Sequence, residues 1–463
     1  MIQRQNRVAF IGLGYVGLCT AVTFAARGFN TIGVEVDAAK RSQIERGRPP
    51  IHEPQLAKLL KTGLRSKRFA VTEDPSIAAS ADIVFITVGT PSRADGSIDL
   101  TYMEEATRQI GAALRSLRGY RLVVVKSTVT PGTTRSVVLP ILEDSGRKRV
   151  GKELGLCANP EFLREGSAIE DALHPDKLVI GAVDDESGRR LKRLYRALYG
   201  TAIPPTLVTT PETAELVKYA SNAFLAAKVS CINTIANIAQ NVPSVDVEQV
   251  AHAIGLDPRI GPLFLKAGPG YGGSCFHKDL QALIAFSRQR GYDPDLFAAV
   301  EKANEEQAAK VVELSERLLG SLKDKRIAVL GLSFKKDTDD VREAASLRVI
   351  ERLKEKGAEV AAHDPMAMRN AQQILGKGVV LEEDASSAIR RADCCIIMTE
   401  WPQYRELRPA DFARLMRHPN LVDARRLYRP QDLAGLNVEA IGLGRGDGGP
   451  RGPNLAEAEI GGR

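Results

Sequence analysis

The sequence predicts an α/β protein: two doubly wound domains joined by a long central helix and a helical middle domain. Three observations predict it. Short β-branched runs alternate with longer mixed stretches in the first part of the 463-residue chain, the pattern of a parallel sheet wrapped by helices. About thirty residues after Pro211 then pass without a glycine or another proline. Strand-like runs return in the third part, where ADCCIIMTEWP (392–402) holds the place that ADIVFITVGTP (81–91) holds in the first.

The elements follow in order. RVAFIG (7–12), TIGVEV (31–36), DIVFITV (82–88) and RLVVVK (121–126) read as strands. Thr210 suits an N-cap and Pro211 the first helical position, so a helix is expected over 211–241, with shorter helices to about residue 320. RIAVLG (326–331), EVAAHD (359–364), DCCIIMT (393–399) and LVDA (421–424) are the second set of strands. The expected domains are 1–205, 206–320 and 321–443. The last stretch, 444–463, is glycine-rich and poor in apolar residues, which predicts disorder.

Composition narrows the class. A hydrophobic share of 44% with 26% charged residues fits an ordinary globular chain. No apolar run has membrane-spanning length. The N-terminal strand leads into a glycine motif rather than a cleavage site, so the cytoplasm is the expected location. The net charge of +7 is modest, and no basic block with interleaved aromatics points to nucleic acid. None of the six cysteines forms a CxxC pair, so neither a metal site nor a disulfide framework is expected.

Directly after the first strand comes GLGYVG, with Gly12, Gly14 and Gly17. The first glycine permits a tight turn, the second lets a pyrophosphate approach the backbone, and the third allows close helix–strand packing. The motif sits between a strand and a helix, and Glu35 ends the second strand about twenty residues on, which completes a Rossmann-like dinucleotide fingerprint. Glu35 and Asp37 are expected on one strand face. A carboxylate there accepts from ribose hydroxyls and repels a 2′-phosphate, so NAD is expected over NADP, although Lys40 follows closely. Thr90 in VGTP and Thr128 in KSTVTPGTT fall at the C-terminal strand ends, where ligands bind in such sheets; ordinary turn chemistry explains them equally well.

Two further clusters carry chemistry. In GPGYGGSCFHKD (268–279), glycines let backbone pass close to a ligand, and Cys275 has Lys278 nearby in sequence; a neighbouring cation favours the reactive thiolate. A buried cysteine in a turn is the plainer reading. On the long helix, Glu215, Lys218, Ser221, Asn222 and Asn233 interrupt an apolar segment. Lys218 and Asn222, four apart, share a face; for a lone helix, a solvated stripe is the default. NPEFLREGSAIED (159–171) reads as a loop-to-helix transition.

These motifs, with AELVKYASNAFLAAK, DPRIG, GLSFKKDTDDVREA and DARRLYRP, resemble those of the UDP-glucose/GDP-mannose dehydrogenase family, in the family's order from about residue 7 to about 430. The resemblance implies an NAD-dependent, four-electron oxidation of a nucleotide sugar's primary alcohol to a carboxylate through a cysteine thiohemiacetal and thioester. The segments DPRIGPLFLKAGPGYGGSC and SAIEDALHPDKLVIG look most like the UDP-glucose branch, which yields UDP-glucuronate for polysaccharide biosynthesis and related uses; GDP-mannose or a UDP-N-acetylhexosamine is the alternative substrate. By position, Cys275 matches the nucleophile, Lys218 and Asn222 the oxyanion site, Asp279 and Thr128 a water network, and Glu161 the carboxylate of thioester hydrolysis. The resemblance leaves open whether Asp279 or Glu161 is the base at each step. It implies NAD contacts at Gly12, Gly14, Gly17, Glu35, Lys40, Thr90, Thr128, Glu165, Lys278 and Arg342. For the UDP-sugar it implies Glu161, Phe162, Leu163, Arg164, Glu165, Lys218, Arg259, Phe264, Leu265, Lys266, Ala267, Gly268, Gly272 and Lys335. Arg259 matches an arginine donated across a dimer interface, which implies a homodimer or higher homo-oligomer built on the 211–241 helix.

Three residues depart from the family's pattern. Glu35 stands where aspartate is usual and is one methylene longer. His277 stands where the family often has proline, and a simple surface substitution is the expectation. REAAS (342–346) replaces a more usual RESPS, read as minor packing variation.

Overall fold

A computed structural model describes residues 7–444. The expected tail at 444–463 lies, apart from Gly444, outside the described residues. The chain forms two compact units, one built on residues up to Asn222 together with Lys278–Asp293, the other on Ala223–His277 and residues from Pro294 onward.

The first unit holds an eight-stranded sheet: β1 (Arg7–Ile11), β2 (Asn30–Val34), β3 (Phe69–Thr72), β4 (Ile83–Ile86), β5 (Arg121–Val125), β6 (Leu154–Ala158), β7 (Leu178–Ala182) and β8 (Thr206–Thr209). Its order is β3-β2-β1-β4-β5-β6-β7-β8. Every pairing is parallel except β6 with β7, which is antiparallel. Alternation along β1 sends Val8 and Phe10 into one core and Ala9 and Ile11 into the other, so both sheet faces are covered. The four strands expected from sequence are present; β3, β6, β7 and β8 are additional.

The second unit holds a six-stranded, wholly parallel sheet of β9 (Arg326–Leu330), β10 (Glu359–His363), β11 (Val380–Leu381), β12 (Cys394–Ile397), β13 (Asn420–Asp423) and β14 (Asn437–Ala440). The order β11-β10-β9-β12-β13-β14 is the doubly wound one. Ile327 and Val329 face one core, Ala328 and Leu330 the other.

A 29-residue helix, Pro211–Ala239, runs from the first unit into the second. Its start matches the sequence signal: the Thr213 N–H donates to Thr210 Oγ1 at 3.3 Å. Helices Val247–Gly255, Phe276–Gln289 and Asp295–Leu319 follow. Among the described residues no helix is long and apolar enough to cross a membrane.

Candidate active site

In the first unit the glycine turn is built for close approach. Gly12 has φ +93°, a conformation that disfavours any Cβ, and a Cβ on Gly17 would stand 1.9 Å from Gly12 O. The helix Tyr15–Ala26 therefore packs against the turn only because both are glycine. Around Gly14 the situation is reversed: a Cβ there meets nothing within 4 Å, which leaves open space at the helix N-terminus. That combination fits a dinucleotide pyrophosphate.

Glu35 is buried just past the end of β2, and its Oε1 accepts the Asp37 N–H at 3.0 Å. The expectation that Glu35 and Asp37 share a strand face fails. The strand stops at Val34, and Asp37 is the N-cap of helix Ala38–Glu45, accepting from the Ala39 and Lys40 N–H groups. Lys40 is exposed on that helix. Thr90 is buried and donates from Oγ1 to Thr128 O at 2.8 Å, tying the two loops at the strand ends.

The polar residues of the long helix are not a solvated stripe. Glu215, Lys218 and Asn222 are all buried. Lys218 Nζ donates to Glu161 Oε1 at 3.0 Å, and Asn222 Nδ2 donates to Asp279 Oδ2 at 2.6 Å. Lys278 Nζ reaches Asp279 Oδ1 at 2.8 Å. One helix face thus sets the Lys218 ammonium against Glu161 and the Asn222 amide against Asp279, with Lys278 on the other oxygen of Asp279. Burial alone raises the Glu161 carboxyl, but the Lys218 ammonium and the Leu163 N–H outweigh it and hold it below the usual range. Phe162, Leu163, Arg164 and Glu165 lie in the non-helical stretch before helix Ala168–Leu173; Arg164 is exposed and paired with Asp171.

Two residues in this unit were not singled out for a role from sequence. Lys126 is buried and donates to Asn159 Oδ1 at 3.2 Å; burial pulls its ammonium down to about 8. Glu215 lines a small cavity with Thr128 and Lys218 and accepts from the Gly132 and Thr134 N–H groups at 2.6 and 2.8 Å. Both lie inside motifs whose other members drew attention, and burial is the property that sequence withheld.

In the second unit, Cys275 is exposed and immediately precedes helix Phe276–Gln289. The loop before it is pinned. Gly268 N donates to Asn233 Oδ1 at 2.8 Å, Tyr271 N to Asn304 Oδ1 at 2.7 Å, and Gly273 N to Arg342 O at 2.9 Å. A Cβ on Gly272 would lie 2.5 Å from Glu343 O. His277 is not a plain surface residue: it is half-buried, with Nδ1 against Glu301 Oε2. Leu265, Ala267 and Gly268 are buried, while Phe264 and Lys266 are exposed. Arg259 is exposed and paired with Asp257; Arg342 is paired with Asp340. Lys335 lies 5.4 Å from the Phe334 ring centroid. Arg425, unassigned from sequence although it lies in DARRLYRP, donates to Phe334 O at 3.0 Å and stands against Gly268. It therefore touches both segments expected to hold the nucleotide.

A dinucleotide fold with a polar, partly charged helix face and an exposed thiol at a glycine-rich loop defines a class: NAD-dependent oxidoreductases. Comparison with known proteins narrows it. Residues 6–199 match the NAD binding domain, 212–306 the central domain and 328–430 the UDP binding domain of the UDP-glucose/GDP-mannose dehydrogenase family. The chain is 41% identical over 453 residues to UDP-glucose 6-dehydrogenase of Rhizobium meliloti, covering 95% of this chain and 100% of the relative. It is 40% identical over 441 residues to UDP-glucose 6-dehydrogenase TuaD of Bacillus subtilis, covering 95% and 93%. The structure of a UDP-glucose dehydrogenase from Pyrobaculum islandicum matches with TM-score 0.87 at 39% identity, over 96% of this chain and 99% of that one. The chain belongs to the UDP-glucose/GDP-mannose dehydrogenase family.

Proposed function

We propose that this protein oxidises UDP-glucose to UDP-glucuronate without releasing the aldehyde, with Cys275 as nucleophile. The observation that carries the reading is an exposed thiol at the head of the helix that also carries buried Asp279, in a chain about 40% identical to proteins named UDP-glucose 6-dehydrogenase. The chemistry explains the thiol. Loss of hydride and a proton from the primary alcohol gives only an aldehyde. Addition of the Cys275 thiolate to that carbon forms a thiohemiacetal, loss of a second hydride leaves a thioester, and water cleaves it to the carboxylate and free thiolate. NAD supplies the hydride acceptor when bound.

This chain's residues do the rest. Gly12, Gly14, Gly17, Glu35, Lys40, Thr90, Thr128, Glu165, Lys278 and Arg342 hold the dinucleotide. The 161–165 and 264–268 segments, Lys218, Gly272 and Lys335 hold the UDP-sugar, and Arg425 joins them. Lys218 and Asn222 stabilise developing oxyanions, Asp279 and Thr128 hold a water, and Glu161 and Asp279 are the two bases available for proton transfer. The buried Lys218–Glu161 and Asn222–Asp279 pairs support these roles, because each presets a donor beside a carboxylate.

In this reading the domains are 1–205, 206–320 and 321–443. The protein is a homodimer or larger assembly centred on helix 211–241, with Arg259 crossing to its partner. Exposed Phe224 and Ile238 on that helix support the assembly. It acts in the cytoplasm and feeds polysaccharide biosynthesis.

The test is NADH formed per UDP-glucose consumed with the sugar limiting. Two per sugar is the expected result. No turnover of UDP-glucose, with two NADH per GDP-mannose or UDP-N-acetylhexosamine instead, would move the substrate to another branch.

A further inference from the structure

Within the second unit, one buried carboxylate bridges the two sides of the nucleophile loop. Glu301, on helix Asp295–Leu319, accepts from Tyr271 Oη through Oε1 at 2.6 Å and faces His277 Nδ1 with Oε2. Tyr271 lies four residues before Cys275 and His277 two after. The loop upstream is fastened by Asn304 on the same helix, whose side chain exchanges hydrogen bonds with the Tyr271 N–H and carbonyl at 2.7 and 3.1 Å.

The identity of residue 277 explains why such a link belongs here. It is the second residue of helix Phe276–Gln289, a position where proline fixes φ and stiffens the helix start without losing a needed N–H. Histidine provides no such restraint. An ion pair from its ring to a rigid neighbouring helix supplies one by another route.

We propose that Glu301 and His277 are positioning residues for Cys275: the pair clamps the downstream end of the glycine loop to helix Asp295–Leu319, as Tyr271 does the upstream end. The proposal rests on Cys275 being the nucleophile. The clamp is charged and therefore responds to pH. The hydrogen bond to Glu301 raises the His277 pKa, burial opposes this, and Glu343 adds to the rise while Arg348 reduces it. Tyr271, Glu301, Glu343 and Arg348 are the groups that bear on this charge. Because the folded-state value is raised, the pair is at full strength below the ordinary imidazole value and weakens as pH rises through the raised one.

The test is hydrogen exchange of the peptide covering 268–279 in wild type, E301Q, H277P and the double variant, with kcat and KM measured alongside. Glutamine at 301 still accepts from Tyr271 but carries no charge; proline at 277 restores a covalent restraint. E301Q alone should speed exchange of this peptide about tenfold and lower kcat by a larger factor than it raises KM for NAD, to which Lys278 is only one of several contacts. In the H277P background the same substitution should change neither, and the effect of E301Q in the His277 protein should fade as pH rises. Equal acceleration in both backgrounds would mean that Glu301 merely supports the core, and no acceleration in either would mean there is no clamp; both overturn the proposal. If the wild type fails to oxidise UDP-glucose, the substrate reading falls while exchange still decides the clamp.

Discussion

Lys218 Nζ and Glu161 Oε1 are 3.0 Å apart, and their side chains are only 5% and 9% exposed. A buried pair of this kind is costly to break from one side, because the remaining charge has no water to turn to. K218M should therefore destabilise the fold by about 3–5 kcal/mol, and K218M/E161Q by less than K218M alone, as read by urea denaturation at neutral pH. Glu161 is held below the usual carboxylate range, so its contribution is present above the ordinary value and is lost as pH falls through the lowered one. A K218M cost that stays the same when Glu161 is also removed would mean that the two charges are not coupled.

Gly14 and Gly17 should separate folding from cofactor binding. A Cβ at 17 meets the Gly12 carbonyl oxygen at 1.9 Å and Thr87 Oγ1 at 2.7 Å. Main chain cannot yield there, so G17A should lose several kcal/mol, of the order of ~3 or more. G14A adds a methyl where nothing lies within 4 Å and should melt within a few degrees of wild type, while NAD affinity falls at least about tenfold. Thermal melts and calorimetric NAD titration check both. Wild-type NAD affinity in G14A would remove the pyrophosphate from this turn.

Much of this was legible in the sequence, and the reasons for the rest are specific. The glycine turn and the long helix carry local signals, so both were readable. The strands β7 and β8 were not: TLVT in β8 is short and half-exposed, and its place beside β7 is a long-range choice that local pattern does not encode. Lys218 and Asn222 share a face by spacing alone, but whether that face is wet or buried depends on the 159–167 loop and on Asp279, which arrives from far along the chain. The His277–Glu301 pair was invisible for the same reason, since no spacing rule links residue 277 to the second turn of the next helix.

Glu215 should give the fold a pH dependence of opposite sign to that of Glu161. Burial raises its carboxyl to about 7 despite the N–H groups of Gly132 and Thr134. The folded state then binds a proton more tightly than the unfolded chain. Stability is full below the ordinary value of 4.5 and declines as pH rises toward 7, by up to about 3 kcal/mol. Glutamine removes the titration but keeps only one of the two acceptor oxygens that Gly132 and Thr134 use, so E215Q should lie below wild type in mild acid by about one hydrogen bond, ~1 kcal/mol, and exceed it above neutrality. Denaturation midpoints across this range decide the matter: an E215Q less stable than wild type at pH 8 would mean that the two backbone hydrogen bonds outweigh burial.

The cysteines offer the cleanest separation of chemistry from structure. Cys19, Cys157, Cys394 and Cys395 are buried, and burial pushes each thiol up, which disfavours the thiolate. Cys231 and Cys275 are exposed. Iodoacetamide should inactivate the wild type and C231S at similar rates, with the label found on residue 275 by peptide mass. C275S should fold and bind NAD as wild type does. A serine hydroxyl does not ionise near neutral pH, so addition to the aldehyde leads to no thioester, and acid formation should fall about a thousandfold or more. NADH per sugar should then drop to one at most, because only the first hydride can leave. Undiminished acid from C275S would end the covalent route, and inactivation that tracks Cys231 would place the essential thiol elsewhere.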